Sequence, residues 1–339
     1  MTESATLSTT TTRPRRLWPI LAVLTLATLW TVTVEMLPSG LLPAMSRDLG
    51  ASESTTGLLV SAWAFTIAIA GIPLVRATIR VPRTVLLATT LVTTALMNLI
   101  TAVATDFAVA LVGRVLTATA HGLFWAVVVS YVASIVDADR LGRALSIVLA
   151  GPTIAGLAGL PAAAYLTDLV GWRGVFAGLS LILAFTAVAL WLILPHDVSA
   201  TAAAAPGGRW DRSARSVLGV AIAGALVLVG HFAAFTYITA LITGLGGFDG
   251  STIPALLLVL GLTGGLGIAI SGFASDRFPR AALGATAALM ALGLLIVWLG
   301  SDAKVVFVAG IGVWGFAIGA LPPIFQARVM RLSTPAFRP

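Results

Sequence analysis

Residues 107–135 read FAVALVGRVLTATAHGLFWAVVVSYVASI, and this stretch decides the fold. It is apolar enough and long enough to cross a bilayer as a helix. Two residues in it do not belong in hydrocarbon, Arg114 and His121. An arginine near mid-membrane costs about 2.5–3.5 kcal/mol on insertion scales, so it must face protein or water and find a partner. His121 follows two helical turns later on the same face. A polar stripe on one face of a buried helix suggests a pathway, and the rest of the chain has to supply its partner and its other walls.

The composition agrees with a membrane solvent. The chain has 339 residues, of which 58% are hydrophobic and only 10% charged, and its mean hydropathy is +1.03. A water-soluble surface of this size needs far more charge. Cysteine is absent, which excludes disulfides, thiolate metal sites and a cysteine nucleophile. The net charge of +7 comes from arginines in short loops, so the positive-inside effect explains it without nucleic acid. No H-E-x-x-H, G-x-S-x-G or P-loop motif is present, and neither an enzyme nor a cofactor is expected.

Ten spans are expected, at about 17–44, 53–75, 84–105, 107–135, 141–167, 173–194, 216–243, 252–273, 281–300 and 304–327. Of the 20 basic residues, only Arg47, Arg173 and Lys304 fall on one side and Arg114 lies in the membrane. The other arginines share the opposite side, which predicts both termini in the cytoplasm of a bacterial-type inner membrane. Residues 1–16 read as a disordered tail, and 17–194 as a six-helix bundle. Residues 195–215, PHDVSATAAAAPGGRWDRSAR, form a polar cytoplasmic linker. Residues 216–327 read as a four-helix bundle and 328–339 as a polar tail. The loop GIPLVRATIRVPR (71–83), bounded by Gly71 and Arg83, repeats weakly as GFASDRFPR (272–280). Two related bundles with a site between them is a common transporter plan.

Glu35 is the one acid placed inside a span. Counted from expected helix ends at Ala44 and Asp106, Glu35 and Arg114 both lie about 12–14 Å deep, which makes them natural partners. The pair reads either as a protonatable carboxylate in a cavity or as a structural ion pair. His121 reads as a proton relay, a substrate contact or a packed histidine. Trp125, one turn beyond it, His231, Thr236 and Tyr237 are candidates for a substrate cavity. Gly151, Ala155, Gly159 and Ala163 recur every fourth residue, as do Gly261–Gly265 and Gly315–Gly319, and such faces let helices approach closely.

Several motifs in order resemble the major facilitator superfamily, and within it the drug:proton antiporter-1 group of sugar-efflux and chloramphenicol-resistance permeases. They are EMLPSGLLPAMSRDLGAS (35–52), Arg114 through Gly122, AGPTIAGLAGLP (150–161), GWRGVF (171–176), GHFAAFTYI (230–238) and GFASDRFPR. The resemblance covers about residues 17–335. It implies an all-α integral membrane fold of two helical bundles, here with six and four expected spans. It implies a proton-coupled secondary transporter that exports small organic molecules by alternating access, with Glu35, Arg114 and His121 in proton coupling. It gives Gly71, Arg83, Gly272, Asp276, Arg277 and Arg280 a gating role. Gly151, Pro152, Gly159 and Pro161 would form a bent fifth helix that resists leak. Arg76 stands where the superfamily loop usually has its acid. The family has twelve spans, so the ten-span reading carries an expectation of an incomplete C-terminal bundle, with the small faces at Gly265 and Gly319 meeting lipid or a second chain. An uptake symporter and a non-transporting membrane protein remain the alternatives. Partners are then a small-molecule substrate, protons and the lipid bilayer.

Overall fold

A computed structural model describes residues 17–137, 140–195 and 212–333. The expected tail at 1–16, most of the linker (196–211) and the last six residues lie outside the described residues. The described residues are almost all helical. The helices are α1 Leu17–Asp48, α2 Glu53–Ala77, α3 Arg83–Ala102 and α4 Phe107–Ile135, then α5 Leu141–Ile154 and α6 Leu160–Ile193 joined by a π turn at Ala155–Gly159. After the linker come α7 Arg212–Thr236, the short α8 Ile238–Ala240, α9 Ile253–Arg277, α10 Ala282–Leu299 and α11 Lys304–Ser333.

Nine helical stretches among the described residues are long and apolar enough to cross a membrane. One of them, Leu141–Ile193, runs for 53 residues and breaks at Gly171, where φ is 70° and ψ 163°. Such a backbone is open essentially only to glycine. The break separates two crossings, so the described residues make ten, the number expected from the sequence. Two turns are closed by side chains: Ser52 accepts from Thr55 N–H before α2, and Asp106 accepts from Val109 N–H before α4. That bond holds the exposed Asp106 carboxyl below its usual range.

The first half packs α1 against α2, α5 and α6, α3 against α4 and α6, and α2 against α4. The second half packs α11 against both α9 and α10. Four boundaries differ from the expected ones. Helix α1 continues through Pro38 and Pro43 to Asp48. Residues 212–215, expected in the linker, already belong to α7. The seventh span is interrupted at Tyr237, between α7 and α8. Helix α11 runs through the expected tail to Ser333.

Of the two glycines expected to meet lipid or a second chain, Gly319 meets a helix instead, whereas Gly265 has nothing packed against it. Gly319 abuts the backbone of Gly264, and Gly315 abuts Thr263 and Leu260, closing α9 on α11. Gly264 and Gly267 make this seam, while Gly265 faces open space. Backbone contact without intervening Cβ atoms is the packing that small residues allow.

Candidate functional site

Four prolines set the geometry of the site. A proline has no N–H for the carbonyl four residues before it, and that orphaned acceptor needs another donor where no water reaches. Pro152 leaves the Val148 carbonyl, and the Thr28 hydroxyl of α1 lies 2.7 Å from it. Gly151 fits beside this contact because a Cβ would strike Thr28 and the α1 backbone. Gly159 packs on Thr33 in the same way, with Ala155 and Ala163 buried alongside. Pro43 leaves the Ser39 carbonyl, which the Thr239 hydroxyl approaches at 3.5 Å from the other half of the chain.

Pro38 leaves the Val34 carbonyl, and this acceptor belongs to Arg114. The guanidinium donates from Nη1 to Val34 O at 2.8 Å and from Nη2 to Glu35 O at 3.0 Å. Arg114 is fully buried. Its face lies over the indole of Trp63, with Cζ 4.0 Å from the ring centroid. The expected ion pair with the Glu35 carboxylate is not what this arginine makes. The carboxylate turns instead to His121, with Oε2 3.3 Å from Nε2. Arg114 stays close to Glu35, but its terminal nitrogens are taken by the Val34 and Glu35 carbonyls. Counted along the helices, Glu35 and His121 lie at one level, about 20 Å from Asp48 and about 21 Å from Phe107.

His121 is 2% exposed, whereas the Glu35 side chain keeps 26% of its surface. The imidazole packs on Trp63 at 5.1 Å and on the half-buried Trp125 at 6.2 Å. Three buried nitrogens of the cluster have no hydrogen-bond partner: Trp63 Nε1, Arg114 Nε and His121 Nδ1. The arrangement is a carboxylate with access to space, backed by an imidazole sealed among aromatic rings.

The remaining predicted residues fall elsewhere. His231 is buried in the second half, where it accepts from Trp314 Nε1 at 3.1 Å through Nδ1 and stacks on Phe235. The Thr236 hydroxyl is spent on its own helix, at 2.6 Å from Phe232 O. Tyr237 lies between the two halves. Its ring covers Gly57 and its hydroxyl lies 3.4 Å from Ser54 O, at the seam between the halves. The seam continues where Gly261 of α9 meets Gly156 and Leu157 at the π turn. Leu160 N–H bonds Ala155 O there, and Pro161 has no N–H to offer the Gly156 carbonyl.

At the opposite end, Arg83 donates to Ser130 O of α4 at 2.8 Å. Gly71 lines a groove of about 380 Å³ with Ile67, Ala68, Val75, Arg76 and Ala126. Asp276 pairs with Arg331 at 2.8 Å, and Arg331 also donates to Ser275 O at 2.6 Å. Arg277 lies 5.5 Å from the Phe278 ring, while Gly272 and Arg280 are exposed. Sequence reasoning missed Arg331, placed in a tail, and Trp63, read only as an aromatic near a span. The Pro38-to-Val34 spacing was the legible signal for what Arg114 holds.

The comparisons with known proteins decide the family. The Major Facilitator Superfamily family model matches residues 23–338.

The chain belongs to the major facilitator superfamily.

It is therefore a multi-pass membrane transporter and not an enzyme. A chloramphenicol efflux pump of Mycobacterium tuberculosis is 32% identical over 98% of this chain and 83% of its own length. A probable sugar efflux transporter of Helicobacter pylori is 25% identical over 90% of this chain and 78% of its own. Among solved structures, an inward-facing bacterial homologue of the human lysosomal transporter Spinster superposes with a TM-score of 0.73 at 18% identity. It covers 92% of this chain and 78% of its own. A D-xylose–proton symporter gives 0.71 at 16% identity, over 92% and 85%. The two-bundle superfamily architecture expected from the sequence is the one observed.

Proposed function

We propose that this transporter exports small organic molecules in exchange for protons, by alternating access between its two halves. The observation that carries the reading is the Glu35–His121 pair, a partly exposed carboxylate 3.3 Å from a buried imidazole. An acid in a membrane interior is costly and marks a pathway. Nδ1 of His121 has no partner, so a proton shared by the two groups passes between Nε2 and Oε2. Protonation of Glu35 from outside releases substrate, and its deprotonation toward the cytoplasm restores the binding state. Arg114 holds the α1 backbone at the proline kink so that this exchange has a fixed geometry. The relatives named for chloramphenicol and sugar efflux support substrates of drug or sugar class.

The positive-inside distribution supports both termini in the cytoplasm of a bacterial inner membrane. In that orientation the described contacts between halves, Tyr237 with Gly57, Thr239 with Ser39 and Gly261 with Gly156, run from mid-membrane to the outer side. The arrangement is then closed outward. Everted vesicles test the function: acidifying the lumen should drive accumulation of chloramphenicol or a simple sugar, and substrate should dissipate the pH gradient. Transport of both probes that ignores the gradient would rule the proposal out.

A further inference from the structure

We propose that Trp63 is a positioning residue of the Glu35–His121 pair, acting as the neutral counter-group that keeps Arg114 off the Glu35 carboxylate. The inference deepens the reading of Glu35 and His121 as the proton-handling groups. Arg114 carries its charge into a fully buried site, and its two terminal nitrogens are used on backbone carbonyls. A buried guanidinium ordinarily pairs with a carboxylate, and Glu35 is the carboxylate within reach. What lies against the guanidinium instead is the indole face, 4.0 Å from Cζ. Tryptophan is the strongest cation–π partner among side chains, and the attraction grows when the site is dry.

The indole is a costly choice for this position. Trp63 is 2% exposed and its Nε1 has no hydrogen-bond partner, although buried tryptophans usually find one. Leucine would fill apolar space without stranding a donor. What tryptophan adds is the π face, and the same ring also packs on His121 at 5.1 Å. One side chain of α2 thus touches both polar groups of α4, at two different depths. Glu35 from α1 is the charged group that the described contacts place against His121, and Arg114 from α4 in turn interacts with the Glu35 charge. With Arg114 satisfied by carbonyls and by the indole, the Glu35 carboxylate is free to bond His121.

The test reads the His121 hydrogen bond directly, so it does not depend on export. The chain has three histidines, and ring ¹⁵N spectra of the full protein in detergent can be assigned with His121→Gln. Trp63→Phe keeps an aromatic face and should leave the His121 Nε2 resonance in place. Trp63→Leu removes the face, and the resonance should shift as the carboxylate moves to Arg114. Trp63→Met, more adaptable in packing, should behave like Leu and serves if the Leu variant does not fold. In the wild type, the Arg114 guanidinium protons should show the upfield displacement expected above an aromatic ring. Absence of that displacement overturns the proposal without any variant. An unchanged Nε2 resonance in the folded Leu or Met variant overturns it too, as does an equal shift in the Phe variant. Vesicles without proton-driven export would refute the transport reading alone.

Discussion

Arg114 holds the backbone of Glu35 and leaves its side chain free: Nη2 donates to the Glu35 carbonyl at 3.0 Å while the carboxylate bonds His121. The two residues were adjacent in expectation as opposite charges, and they are adjacent in fact through an amide dipole. Pro38 explains the difference, because it withdraws the N–H that would have closed the helix at Val34. A fixed guanidinium repairs the kink, and a titratable carboxylate is left to do something else.

Glu35→Gln should abolish proton-driven export in everted vesicles while the protein still inserts and folds. Gln keeps the size and the hydrogen bond to His121 but cannot carry a proton. Wild-type proton exchange by this variant would end the assignment of coupling to Glu35.

Arg114→Lys should destabilise the first half by roughly 1–3 kcal/mol, the cost of leaving a buried acceptor unpaired, and should cut export about tenfold or more. An ammonium can reach one carbonyl where the planar fork reaches two. The checks are thermal unfolding in detergent and vesicle transport. Unaltered stability and export would mean that Arg114 supplies only a positive charge.

Thr28→Val should cost about 1–3 kcal/mol by leaving the Val148 carbonyl without a donor. Adding Pro152→Ala should recover most of that loss, because alanine restores the missing backbone N–H. A double-mutant cycle on unfolding measures the coupling. Additive effects of the two changes would show that the hydroxyl is not replacing the proline bond.

Gly261→Val should hold the halves apart where α9 meets the π turn, since a Cβ there strikes the Gly156 carbonyl and the Leu157 backbone. The absence of cysteine gives a clean background for labelling. A cysteine at Thr239, fully buried in the observed arrangement, should become reactive to a membrane-impermeant maleimide in the Gly261→Val background. Equal protection in both backgrounds would place the closure elsewhere.

The fold was legible because a bilayer leaves the chain few options. Each apolar stretch must satisfy its own backbone, so runs such as 107–135 can only be helices. The break at Gly171 follows from an arginine-bearing turn in a run too long for one crossing, and the glycine spacing of the fifth span announces a helix packed closely on α1.

By itself the sequence determined the all-helical membrane fold and the two-half plan, and it put one acid and one arginine inside apolar runs. Tertiary structure decided which groups meet. Depth was counted from an expected end near Ala44, yet α1 stays helical through Pro38 and Pro43 because Arg114 and Thr239 attend to the carbonyls those prolines strand. That support comes from residues far away in the chain, and no local pattern can register it. Counted from Asp48, four residues further on, Glu35 comes out level with His121, while Arg114 still reaches its backbone carbonyl. The partner of Arg331 was hidden in the same way, since α11 continues into what reads as a tail and meets Asp276 there. Hydrophobic periodicity fixes where a helix exists. Its ends and the partners of its polar groups depend on donors and acceptors that only packing brings within reach.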